Sequence, residues 1–207
     1  VLSKGHCTPA LYPVLAMKGL FPESDLDLFR SIDGHMSGHA EMRHVKGVDM
    51  STGSLGQGLS IGLGMALGMR LKGIDRRVYV LLGDGELAEG QVWEAAMAAS
   101  AYHADRLVAI VDQNGLQANG WIEERYNSYP IREKWESFGW RVLETDGHDM
   151  EQILTVLDDA SRPEGKPTVI LAKTIKGKGV SFAENVVGFH NGMLTEELYR
   201  KALAELS

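Results

Sequence analysis

Apolar and polar positions divide the chain into two styles. From residue 78 to 172, short apolar runs alternate with longer amphipathic stretches. Val78-Tyr79-Val80-Leu81-Leu82 predicts a strand that ends at Gly83-Asp84-Gly85. Residues 86–103 predict a helix with Leu87, Val92, Trp93, Ala96 and Met97 along one side. Leu107 to Val111 predicts a second strand, and Pro130 to Phe138 a helix with proline in its first turn. Trp140 to Leu143 is a third strand, Met150 to Leu157 a helix and Thr168 to Leu171 a fourth strand. Apolar strands separated by helices predict right-handed crossovers and a parallel sheet covered on both faces. The expected fold class is α/β, a doubly wound parallel sheet flanked by helices, which takes ligands at the carboxyl ends of its strands.

Upstream the pattern changes. Pro9 to Met17 and Ser24 to Ile32 are short helical candidates, and residues 56–72 alternate glycine with Leu, Ile, Met and Ala, which predicts a tightly packed helix. Residues 173–192 read as a loop containing glycine and lysine, and Thr195 to Leu206 as a terminal helix capped by Thr195. No linker, repeat or low-complexity tract interrupts the 207 residues, so a single domain over 1–207 is expected.

Composition narrows the function classes. The formal charge of −7 is spread without blocks, which argues against nucleic acid and anionic membranes as partners. Cys7 is the single cysteine, so no intrachain disulfide forms and a reducing, cytoplasmic setting is expected. No signal peptide or spanning segment is evident, and Val1 in place of methionine suggests that the first residues are missing.

The strand layout also brings chemistry together. Asp84 follows the first strand and Asn114 the second. If those strands are neighbours, two oxygen donors emerge on the same edge, a set suited to Mg²⁺, which takes about six oxygens at roughly 2.1 Å, phosphate oxygens among them. Gly83 and Gly85 let a phosphate approach the backbone closely. Gly-Asp-Gly alone is an ordinary turn. Its pairing with Asn114, thirty residues after Asp84 within Val111-Asp112-Gln113-Asn114-Gly115, is far more specific. A dinucleotide reading of Gly53 to Gly64 fails, because Gly56-Gln57-Gly58 lacks the third glycine and no clear strand precedes it.

Here the chain resembles the transketolase family of thiamine-diphosphate enzymes. Leu2-Ser3-Lys4-Gly5-His6, Ser37-Gly38-His39-Ala40-Glu41, Ser51-Thr52-Gly53-Ser54-Leu55-Gly56-Gln57-Gly58 and Lys173-Thr174-Ile175-Lys176-Gly177-Lys178-Gly179 resemble its other motifs, in the same order, with His190 following. The resemblance implies that Asp84, Asn114 and the carbonyl of Leu116 hold Mg²⁺. It implies that His6 and His190 lie near the diphosphate, with Gly83 and Gly85 beside it. Gly53 and Leu55 would meet the cofactor rings, His39 the substrate and the reactive edge, and Glu89 would be a buried glutamate near a subunit interface. Ser54 stands where the family has proline.

The resemblance further implies ketol transfer from a ketose phosphate to an aldose, in the manner of pentose phosphate metabolism. The glutamate that activates the cofactor would come from a separate pyrimidine-binding subunit, so the chain reads as the N-terminal subunit of a split transketolase within a homo- or hetero-oligomer. Two alternatives stand beside that reading: a relative acting on another carbonyl donor, and a cofactor-binding or regulatory subunit without turnover. His35, His44, His103 and His148 fall in no such motif.

Overall fold

The computed structural model describes residues 1–207. Its strands are β1 (Val78–Gly83), β2 (Leu107–Gln113), β3 (Leu116–Gln117), β4 (Gly120–Trp121), β5 (Arg141–Asp146) and β6 (Thr168–Lys173). Its helices are α1 (Thr8–Met17), α2 (Gln57–Leu71), α3 (Gly90–Ala101), α4 (Ile122–Arg125), α5 (Ile131–Ser137), α6 (Met150–Ala160) and α7 (Glu196–Leu206). Four strands form one all-parallel sheet in the order β1-β2-β6-β5, with Gly83 beside Asp112 and Gln113 beside Lys173. β3 and β4 make a separate antiparallel hairpin.

Residue alternation along the strands explains the layers. Val78, Val80, Leu82, Leu107, Ala109, Val111, Val169 and Leu171 share one buried cluster with residues of α2, α3 and α5. The intervening Val108 and Ile170 pack with Val156 and Ala160 of α6 on the other face. Both faces of β2 and β6 are therefore covered, which is why these strands are apolar at nearly every position. α2 lies close against the sheet because it carries glycine where others carry side chains: a methyl at Gly62 would overlap Val80, and one at Gly58 would overlap Ser3. On the outer edge of β1, Leu2 forms a parallel bridge to Leu81, and the Ser3 amide donates to the Leu81 carbonyl at 2.8 Å. That covers an otherwise open strand edge. No helix is long and apolar enough to cross a membrane.

Three expectations need correction. The helix expected over 86–103 is broken: a 3-10 turn, Gly85–Ala88, is followed by Glu89 in an extended conformation and then by α3. The side chains of Asp84 and Glu86 turn inward to bind backbone amides there, and this local pairing competes with a helix. Leu87, Val92 and Ala96 are buried as expected, but Met97 is 50% exposed. Between Ser24 and Ile32 only a 3-10 turn, Glu23–Leu28, forms, and nothing in it is buried, so no apolar face sustains a longer helix. Thr195 does cap α7, accepting from the Leu198 amide at 3.3 Å.

Candidate active site

The carboxyl ends of β1, β2 and β6 meet at one point. Asp84 follows β1 and is 1% exposed. Its two oxygens accept from the amides of Gly85 (2.9 Å) and Gly115 (2.6 Å), so it ties the end of β1 to the turn after β2. Gly115 makes that turn at φ +76°, and the Asn114 side chain accepts from the Leu116 amide at 3.0 Å to complete it. Burial pushes the Asp84 carboxyl up to about 6, opposed by the Gly115 amide. A nearby cation would reverse that shift.

Two further carboxylates brace the edge. Glu86 is buried, accepts from the Ser3 hydroxyl, and takes the amides of Gly56 (2.8 Å) and Gly83 (3.1 Å). Burial raises its pKa, and the Ser3 hydroxyl opposes the rise. Asp112, at the end of β2, pairs with the Lys4 ammonium at 2.5 Å and accepts from the Thr174 hydroxyl. Burial alone would depress the Lys4 pKa, but Asp112 more than offsets it and holds the ammonium charged. Burial likewise works against ionisation of Asp112, and Lys4 overcomes it, leaving the carboxyl below its ordinary value.

Asp84, Glu86 and Lys4 border a cavity of about 370 Å³. Asp84, Asn114 and Leu116 line one side, and Lys4, His6, Lys176 and His190 also line it. The His6 and His190 rings lie 5.3 Å apart. Burial, then His190, Lys4 and Lys176, drives the His6 pKa down to about 4. The Lys176 ammonium is lowered by burial and then by Lys4. His190 Nδ1 is buried with no hydrogen-bond partner. Two ammonium groups and an unsatisfied ring nitrogen on one side of the cavity, facing Asp84 and Asn114 on the other, suit an anion that brings oxygens of its own together with a cation.

The structure thus brings together His6, Leu55, Gly83, Asp84, Gly85, Asn114, Leu116 and His190 on one cavity. His39 and Gly53 line a second recess, of about 410 Å³, with Glu41, Ser51 and Gln57. There His39 is exposed, and its ring lies so close to Gly53 that a side chain at residue 53 would touch it. Glu89 lies exposed on the rim of the first cavity in the single chain, and the glutamate buried within the chain there is Glu86. Glu89 faces outward because it is the extended residue that separates the 3-10 turn from α3.

Sequence reasoning passed over Lys4, Glu86, Thr174 and Lys176 as working residues. Lys4 and Lys176 lie inside the family-like motifs that also hold His6 and Gly177, and the signal was a lysine beside each cavity histidine or loop glycine. Glu86 carried no such signal, because its role depends on Ser3 and Gly56 folding back onto it.

A family model described as transketolase, thiamine diphosphate binding domain, matches residues 1–205. The chain belongs to that family. It is 46% identical over 206 residues to the 6-deoxy-6-sulfo-D-fructose transketolase subunit SqwG of a Clostridium species, covering 100% of this chain and 75% of that protein. It is 42% identical over 207 residues to an apulose-4-phosphate transketolase subunit from Phocaeicola vulgatus, covering 100% of this chain and 73% of that protein. Among solved structures, the transketolase of Campylobacter jejuni superposes with a TM-score of 0.93 at 33% identity, over 99% of this chain. The chain spans 33% of that transketolase's length. This protein is accordingly a transketolase-type enzyme component, of a class that transfers two-carbon ketol units, and the subunit names of its relatives fit a divided enzyme.

Proposed function

We propose that this chain is the diphosphate-binding subunit of a cytoplasmic transketolase that uses thiamine diphosphate and Mg²⁺ to move a two-carbon ketol unit from a ketose phosphate to an aldose. One observation carries the reading: Asp84 and Asn114, at the ends of adjacent parallel strands, line the same cavity as Lys4, His6, Lys176 and His190. The donor chemistry fits the group. No three His, Cys, Asp or Glu side chains are grouped to hold a metal by themselves. One carboxylate, one amide and one backbone carbonyl are the kind of partial set that Mg²⁺ completes with phosphate oxygens and water.

In this reading Asp84, Asn114 and the Leu116 carbonyl hold the metal. Lys4, Lys176, His6 and His190 face the diphosphate, with Gly83 and Gly85 leaving room for it. Thiamine diphosphate, when bound, supplies the electron sink that carbanion chemistry at a carbonyl requires. Gly53 and Leu55 lie where the cofactor rings extend, and His39 stands beyond them to exchange protons with substrate hydroxyls. Glu89 faces the partner subunit from the cavity rim.

The partner would be a pyrimidine-binding subunit carrying the activating glutamate, in agreement with the subunit names of the relatives. The test is reconstitution. The chain alone should give no ketol transfer, and addition of the partner should restore it with Mg²⁺ and thiamine diphosphate present. A donor panel of xylulose 5-phosphate, apulose 4-phosphate and 6-deoxy-6-sulfo-D-fructose assigns the sugar. Tight Mg²⁺-dependent cofactor binding by the assembled pair, without transfer from any donor, would replace this reading with that of a cofactor-holding regulatory subunit.

A further inference from the structure

Two residues of the cavity wall, Lys176 and His190, ride on a segment, residues 174–192, that contains no strand and a single 3-10 turn, Val187–His190. A segment without regular structure keeps its place through the few contacts that anchor it. Its far part is anchored by α7: Glu205 accepts from the Ser181 amide (2.7 Å) and hydroxyl (2.6 Å). Its near part is anchored first at Thr174, whose amide donates to the Gln113 carbonyl at 3.2 Å and whose hydroxyl donates to Asp112, and then at Ile175, by a histidine that no motif explained. The amide of Ile175, the residue before Lys176, donates to His148 Nε2 at 2.7 Å.

His148 is itself on a fixed turn. Its own amide donates to Asp146 Oδ1 at 2.8 Å, and the Gly147 amide donates to the Lys173 carbonyl at 2.7 Å. A methyl at Gly147 would overlap Thr174, so the turn lies directly against the chain leaving β6. The imidazole therefore presents its acceptor to Ile175 from a support fastened to the sheet.

We propose that His148 is a positioning residue of the cofactor site: by accepting the Ile175 amide it sets where Lys176 stands over the diphosphate cavity. The inference rests on the cofactor reading given above. His148 does not line that cavity. It lies in a neighbouring recess of about 520 Å³, faced by Glu144 and Asp146 of β5, Lys173 of β6 and Lys178 of the loop, while α6 contributes the neutral Gln152. Only a neutral imidazole with its hydrogen on Nδ1 can accept at Nε2; the protonated ring turns a donor towards a donor.

The test compares wild type, His148→Ala and His148→Gln, each assembled with the pyrimidine-binding partner. The glutamine oxygen stands near the place of Nε2 and accepts at any pH. Without cofactor, hydrogen exchange at the Ile175 amide should speed about tenfold in His148→Ala and stay near wild type in His148→Gln. In titrations with thiamine diphosphate at saturating Mg²⁺, His148→Ala should raise Kd about fivefold to tenfold and leave kcat at saturating cofactor unchanged, while His148→Gln stays within about twofold. Wild-type exchange and binding in His148→Ala would overturn the proposal, as would equal impairment of both variants, which would point to the shape of the ring and not its acceptor. A wild type that does not bind thiamine diphosphate sinks the cofactor reading itself, and the Ile175 exchange rates then decide the loop anchor on their own.

Discussion

The recess bordered by Asp84 and the recess bordered by His39 are made differently. Around the first, Asp84, Glu86 and Asp112 are each spoken for by backbone amides, hydroxyls or the Lys4 ammonium, and residues from five stretches of chain converge on them. Around the second, His39 is exposed, and the recess is bordered by loop residues from 37–41 and 51–54 together with the start of α2. The contrast shows where one chain suffices. In the function proposed above, holding a diphosphate and a cation needs charges fixed in advance, and the carboxylates of the sheet edge are fixed in that way. Enclosing a reacting sugar needs walls on every side, and His39 lies exposed in its recess, which suits a site finished by another subunit.

Substitutions should separate the two recesses. The largest effect belongs to Asp84→Ala. Calorimetric titration of the assembled enzyme should show Mg²⁺-dependent thiamine diphosphate affinity reduced by about 10²-fold or more. Unchanged affinity would remove the metal assignment. Next comes His39→Ala, which should lower kcat by about 10²-fold at saturating cofactor while leaving cofactor Kd close to wild type. His103→Ala serves as its control, because His103 is an exposed residue just beyond α3 and should behave as wild type in the same steady-state assay. Identical kinetics for His39→Ala and His103→Ala would leave the second recess without a catalytic role.

A stability effect follows. Glu86→Ala strands the Ser3 hydroxyl and two amides that Glu86 now accepts, at a cost of about 3 kcal/mol in urea unfolding. No change in the unfolding midpoint would contradict the wiring described for the first recess. The smallest effect is a titration. His6 is held to about 4 in the folded chain, below the ordinary 6.5, so the unfolded chain takes the proton first. Its contribution to stability is therefore present above about pH 6.5 and is lost as pH falls towards 4. Asp84, raised to about 6, acts in the opposite sense across much of that window, so a histidine NMR titration isolates His6 where a melting curve cannot. Its signal in the cofactor-free chain should stay neutral through pH 5 and shift to easier protonation when thiamine diphosphate binds. An ordinary titration near 6.5 without cofactor would argue against the clustered cations.

Much of the sheet was legible because β1, β2 and β6 are apolar on both faces, and a run such as Leu107 to Val111 admits few other readings. That layout was enough to place Asp84 and Asn114 on one edge from the sequence alone. What escaped was set by contacts distant in sequence. Glu86 is buried because Ser3 and Gly56 come to it, and Glu89, three residues on, is exposed because the helix breaks there. The β3–β4 hairpin is only two residues per strand, too short for any periodicity to announce it. Ser24 to Ile32 was a helical candidate, but Leu28 and Ile32 lie exposed, so nothing in the fold rewards a helix there.

Asp112 also bears on how the molecule is put together in time. It joins Lys4, 108 residues earlier, to Thr174, 62 residues later, so two long chain closures at the site end on a single carboxylate. Closures of that span are slow and are not repaid until the strands between them have paired. The pocket should therefore be among the last parts of the molecule to become native. In a refolding experiment followed by helical signal and by cofactor fluorescence quenching, secondary structure would return well ahead of the ability to bind.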